Sequence, residues 1–114
     1  MKDEKFRFSE CSLTRSMAII GTKWKPLIVY VLQNKKVRFG QLDAIIPLIT
    51  RKVLTEQLKE LEEDGILRRE AFNEIPPRVE YSLTEKGLEL LPILNLIKSW
   101  NIKFEAENKK QKVQ

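Results

Sequence analysis

The sequence predicts a mainly α-helical domain that carries one small β-hairpin. Apolar residues recur at helical spacing along most of the chain, and β-favouring alternation is confined to two short runs on either side of a proline-bearing turn. With only four glycines and five prolines in 114 residues, the connections must be short. That length suits one domain, and 42% hydrophobic with 32% charged residues is the composition of a globular protein.

The first periodic segment runs from Leu13 to Ile20, with Leu13, Met17 and Ile20 on one face and Cys11 or Ser12 at its entry. Gly21-Thr22 interrupts it. Pro26 suits the first turn of a second helix, in which Leu27, Ile28, Tyr30, Val31 and Leu32 are apolar on most sides and therefore central; Asn34 closes it. Val37 to Phe39 reads as a short extended piece, followed by a short helix from Gln41 to Ile46 that ends at Pro47. The clearest helix spans Thr50 to Asp64. Thr50 is a good N-cap, Val53, Leu54, Leu58 and Leu61 form its stripe, and Gly65 stands where a left-handed residue ends a helix. Ile66 to Phe72 and Arg78 to Leu83 then form the hairpin, joined by Asn73-Glu74-Ile75-Pro76-Pro77. Thr84 caps a last helix with Leu88, Leu91, Leu94, Ile97 and Trp100 three residues apart, and Pro92 is expected to kink it. Residues 1–10 read as a flexible arm, 11–105 as the folded domain and 106–114 as a basic tail.

Charge narrows the function. There are 21 Lys and Arg against 16 Asp and Glu, a net charge of +5, and a pI near 9.4, which favours a polyanionic partner. Residues 12–49 hold six basic residues and one acidic, residues 50–64 three against five, and residues 106–114 three against one. With no histidine and a single cysteine, the commonest general base, the commonest zinc ligand and an intramolecular disulfide are all missing. No enzyme chemistry, metal or cofactor is expected. The longest uncharged stretch, the nine residues Pro26 to Asn34, is too short to span a bilayer, and the charged N-terminus is no signal peptide, so a cytoplasmic protein is expected.

A short helix, a tight connection, a longer helix and a hairpin follow the order of a winged helix-turn-helix. In that motif the second helix enters the DNA major groove by its N-terminal part. Thr50, Arg51, Lys52, Thr55 and Lys59 are the candidate contacts, because 100° per residue sets Lys52, Thr55, Glu56 and Lys59 opposite the leucine stripe with Arg51 at its flank. Glu60, Glu62, Glu63 and Asp64 crowd the other end of the helix. Beyond Pro76-Pro77, Arg78 is held near the turn and is a candidate for a narrow minor groove. Each of these residues is also compatible with an ordinary solvated face or surface ion pairs, with Glu70, Glu74 and Glu80 as the acids available to Arg78.

The chain resembles the HxlR-type regulators, winged-helix relatives of the MarR group, over about Cys11 to Trp100. The resemblance rests on Cys11, Ile20-Gly21-Thr22-Lys23-Trp24, Arg38-Phe39, Leu54-Thr55 with Leu58 and Leu61-Glu62, and above all Pro76-Pro77-Arg78-Val79-Glu80-Tyr81-Ser82-Leu83-Thr84 with Gly87. Ser12 and Thr22 depart from it, standing where proline and a second glycine are usual. The resemblance implies a homodimeric transcriptional regulator on a two-fold symmetric DNA operator, with the N- and C-terminal helices as the dimer interface. Leu90, Leu91, Leu94, Ile97 and Trp100 are the residues assigned to that interface. It also implies a redox or electrophile sensor at Cys11, against the plain alternative of a buried thiol. A winged-helix module for protein contacts, without specific DNA binding, is the rival function.

Overall fold

The helices ahead of the hairpin form where the apolar spacing places them. The computed structural model describes residues 10–113, and residues 1–9 of the expected arm lie outside it. Its elements are α1 (Ser12–Ile20), α2 (Lys25–Leu32), β1 (Val37–Arg38), α3 (Phe39–Ile45), α4 (Arg51–Glu63), β2 (Leu67–Phe72), β3 (Arg78–Leu83), α5 (Glu85–Leu88) and α6 (Leu90–Val113). Pro26 lies in the first turn of α2, where its missing N–H breaks no bond. Ile28, Val29 and Leu32 are fully buried and make α2 the centre of the core, with Leu42 and Ile46 around α3, Leu54, Leu58 and Leu61 of α4, and Leu94 of α6 packed about it. Gln33, not Asn34, takes the positive φ (52°) that turns the chain out of α2.

Three boundaries differ from the sequence reading, each for a physical reason. Helix α3 starts at Phe39 rather than Gln41, because the Gln41 side chain reaches back and accepts the Arg38 N–H at 3.0 Å, stabilising the turn before it. Val37 and Arg38 become a strand. They pair with Tyr81 and Glu80 of β3, so the expected two-stranded hairpin is the larger part of a three-stranded antiparallel sheet in the order β1-β3-β2. Burying Val37 opposite Tyr81 satisfies backbone groups on that edge of β3 that the hairpin alone leaves open.

The third difference concerns the last helix, which is interrupted at Glu89 rather than kinked at Pro92. Proline has no N–H and crowds the carbonyl four residues back. That carbonyl belongs to Leu88, the last residue of α5, so the break falls one turn before the proline and Pro92 itself lies in the first turn of α6. From there α6 runs unbroken to Val113, across the residue-105 boundary assigned to a tail.

The joint between helix and wing is built on two glycines. After α4, Gly65 adopts φ +75° and its N–H bonds Glu62 O at 3.0 Å, while Ile66 N–H bonds Leu61 O at 2.9 Å, a Schellman ending that needs a residue tolerant of the left-handed region. Thr84 clips this turn to the start of α5. Its hydroxyl donates to Gly65 O at 2.6 Å and accepts Gly87 N–H at 3.1 Å, and Gly87 lies so close to the Ile66 carbonyl that a Cβ would overlap it.

Candidate nucleic-acid interface

Helix α4 presents its charged face because its leucines occupy the other one. Leu54, Leu58 and Leu61 are at most 1% exposed, whereas Thr50, Arg51, Lys52, Thr55 and Lys59 are all exposed. The five candidate residues are therefore all accessible. Thr50 caps the helix, its hydroxyl accepting Val53 N–H at 3.1 Å. Thr55 donates its hydroxyl hydrogen to Arg51 O at 2.7 Å, which fixes the side chain and leaves the oxygen's acceptor capacity and the methyl for an outside partner.

The helix-turn-helix is also tied by charge. Arg51 Nε donates to Asp43 Oδ2 of α3 at 3.0 Å, so this arginine bridges the two helices while remaining 78% exposed. Lys52 and Lys59 are thus the α4 cations with an unobstructed outward position. The turn between the helices carries Leu48 at φ 70° and 91% exposed, a conformation bulky side chains seldom adopt.

Arg78 stands beside the turn, with its guanidinium turned back onto the wing. It opens β3 opposite Phe72, where its guanidinium stacks 3.9 Å from the ring centroid and pairs with Glu74 at 3.3 Å and Glu80 at 3.6 Å. Only a quarter of the side chain is exposed. The arginine is folded back onto the wing, along one wall of an open cleft of about 490 Å³ between the wing and the start of α3. At the tip the fully exposed side chain is Ile75. The stacking on Phe72 has no local signal, because the register pairing positions 72 and 78 depends on the loop's geometry.

The residues assigned to a dimer interface divide into two groups. Leu94 is buried in the chain's own core, and Leu90 and Leu91 pack against it. Ile97 and Trp100 are 51% and 65% exposed, and Ile93, Leu96 and Phe104 extend their face of α6, with Leu13 and Met17 exposed on α1. Trp100 meets Phe104 edge to face at 6.0 Å. Cys11 is half-buried at the N-cap of α1. The Thr14 side chain and backbone N–H, then the Leu13 N–H and the Arg15 charge, hold its thiol below the ordinary range against an opposing effect of desolvation.

One buried cation was missed altogether. Lys25 is 3% exposed and its ammonium lies 3.5 Å from Glu60 of α4, while the neighbouring Thr22 hydroxyl donates to Gln57 of α4 at 2.7 Å. A lysine next to a proline at a helix start carries no mark of burial in the sequence.

Among the described residues, no helix is long and apolar enough to cross a membrane. The family model for HxlR-like helix-turn-helix proteins matches residues 19–109. The chain is 43% identical over 98 residues to the HTH-type transcriptional regulator YdeP of Bacillus subtilis (strain 168), covering 86% of this chain and 77% of that protein. It is 46% identical over 90 residues to an HTH-type transcriptional regulator of Methanothermobacter thermautotrophicus, covering 79% and 69%. Among solved structures, the redox regulator HypR in its reduced form superposes with a TM-score of 0.81 at 40% identity, covering 88% of this chain and 99% of that one. The chain belongs to the HxlR-like helix-turn-helix family and is a transcriptional regulator of the helix-turn-helix type.

Proposed function

We propose that this protein binds DNA sequence-specifically as a homodimer on a two-fold symmetric operator, with α4 in the major groove. The observation that carries the reading is the outward face of α4, where Lys52, Thr55 and Lys59 stand exposed on a helix whose opposite face is buried. Lys52 and Arg51, near the N-terminus, are in reach of base edges or phosphates; Lys59, two turns on, pairs with phosphate. Arg78 orders the wing through Phe72, Glu74 and Glu80, and contacts DNA only by exchanging those carboxylates for phosphate or base acceptors. The cytoplasm, at the nucleoid, is the compartment this reading requires.

Dimerisation is supported by the exposed face of α6. Leu96 and Trp100 are 72% and 65% exposed, an unfavourable arrangement for a lone protomer. The radius of gyration is 17.5 Å, against about 13 Å for a compact domain of this length. A helix projecting from its own core is a surface for a second copy.

The test is a mobility shift on duplexes that the protein selects from a randomised pool. Binding weakens steeply with salt, and Lys52→Ala with Thr55→Ala removes the preference for the selected duplex while leaving the oligomeric state unchanged. If the double variant keeps the preference, α4 is not the reader; if no duplex shifts at any salt concentration, the protein-contact reading replaces this one.

The redox reading of Cys11 is supported by its lowered pKa and by the likeness to HypR. With a single cysteine in the chain, oxidation yields a disulfide between two protomers or a mixed disulfide with a small thiol. Diamide therefore releases the wild type from its duplex and spares Cys11→Ser. Equal release of both ends the sensor reading.

A further inference from the structure

Specific reading of DNA requires that α4 be fixed about its own axis as well as along it. A stripe of three leucines is a smooth support. With side chains the helix has a radius of about 5 to 6 Å, so a rotation of about 20° moves an outward-facing atom by about 2 Å, enough to break a hydrogen bond to a base. Something besides the stripe must set the angle.

Two polar ties flank it. On one side Arg51 bonds Asp43 of α3. On the other, Gln57 and Glu60 lie between the leucine stripe and the outward face, and both are held by the entry to α2. The Thr22 hydroxyl donates to Gln57 Oε1 at 2.7 Å and accepts the Lys25 N–H at 3.1 Å. The Lys25 ammonium reaches Glu60 Oε1 at 3.5 Å, and Gln57 Nε2 donates to Glu60 Oε2 at 3.4 Å. Lys25 is the charged residue that is buried among those described, with a side chain 4% exposed against 50% for Glu60. A buried ammonium is poorly accommodated unless its partner stays in place, so the pair tolerates few arrangements of α4, whereas an apolar side chain there tolerates many.

We propose that Thr22 and Lys25 are positioning residues for DNA recognition: their clasp on Gln57 and Glu60, opposite the Arg51–Asp43 tie, sets the rotation of α4 and thereby its sequence specificity. The proposal rests on the reading of α4 as the DNA-reading helix. It places part of the specificity at residues that never touch DNA. Lys25, being buried, neutralises no phosphate.

The experiment compares wild type with Lys25→Met, Thr22→Val, Thr22→Ser and Glu60→Gln on two probes, the duplex that wild type selects from a randomised pool and a random-sequence duplex of equal length. In Lys25→Met and Thr22→Val, affinity for the selected duplex falls about tenfold, which is about 1.4 kcal/mol, while affinity for the random duplex and the salt dependence of binding stay at wild-type values. Thr22→Ser, which keeps the hydroxyl, restores the preference. Glu60→Gln, a near-isosteric change at the half-exposed partner, shows the same selective loss and reports if Lys25→Met does not fold. Unchanged preference in all variants overturns the proposal. A parallel loss on both probes with a weaker salt dependence also overturns it, by making Lys25 a phosphate contact. If wild type selects no duplex, the reading of α4 fails first and the clasp has no specificity to set.

Discussion

Gly87 shows how much of the wing's placement depends on a single side chain's absence. The Ile66 carbonyl occupies the space a Cβ would take, and that carbonyl accepts the Thr84 N–H at 3.0 Å. Backbone must therefore move to admit a methyl group. Gly87→Ala costs about 2 kcal/mol, in the range of overpacking a close contact, and a urea melt of the variant beside wild type measures it; an unchanged midpoint means the joint is looser than described. Gly87 was legible in the sequence only as the end of a long motif. The reason for it, the approach of α5 to the α4–β2 turn, is a tertiary contact that no local pattern encodes. Lys25 and Arg78 were hidden in the same way, since burial of a lysine and stacking of an arginine both depend on what the chain brings beside them.

At the scale of elements, the sequence was most legible where a local rule and the core agree. Thr50, the leucine stripe and Gly65 fix α4 to within a residue at either end, because cap, periodicity and Schellman ending all act within the segment. It was least legible where pairing partners decide. Val37 and Arg38 become a strand through β3, more than forty positions on, and the α5–α6 break was foreseen in kind from Pro92 but placed a turn late. The turn between α3 and α4 adds a test. Leu48 holds φ 70° with its side chain 91% exposed, so it bears backbone strain without a compensating burial. Leu48→Asn, a residue at ease in the left-handed region, stabilises the protein by about 0.5 to 1 kcal/mol; a loss of stability in chemical denaturation would show that the leucine is held by packing instead.

At the scale of the whole molecule, charge and shape divide the work. The basic excess lies mainly in residues 12–49, with six basic residues against one acidic, while residues 50–64 are net acidic. On the reading proposed above, general attraction to DNA comes from the exposed cations of the body of the domain, and specificity from the first turns of α4. In the proposed dimer, the exposed apolar face of α6 sets where the second copy of α4 stands. Leu96→Glu with Trp100→Glu places carboxylates in that face and converts the dimer to a monomer, read by sedimentation equilibrium. Whether one dimer reads two half-sites through paired α4 helices is decided by a hydroxyl-radical footprint on the selected duplex. Wild type protects two symmetric half-sites whose centres are about 34 to 36 Å apart, and the Leu96→Glu, Trp100→Glu variant loses that paired pattern. A single asymmetric footprint for wild type, or a paired one that survives in the variant, contradicts the account.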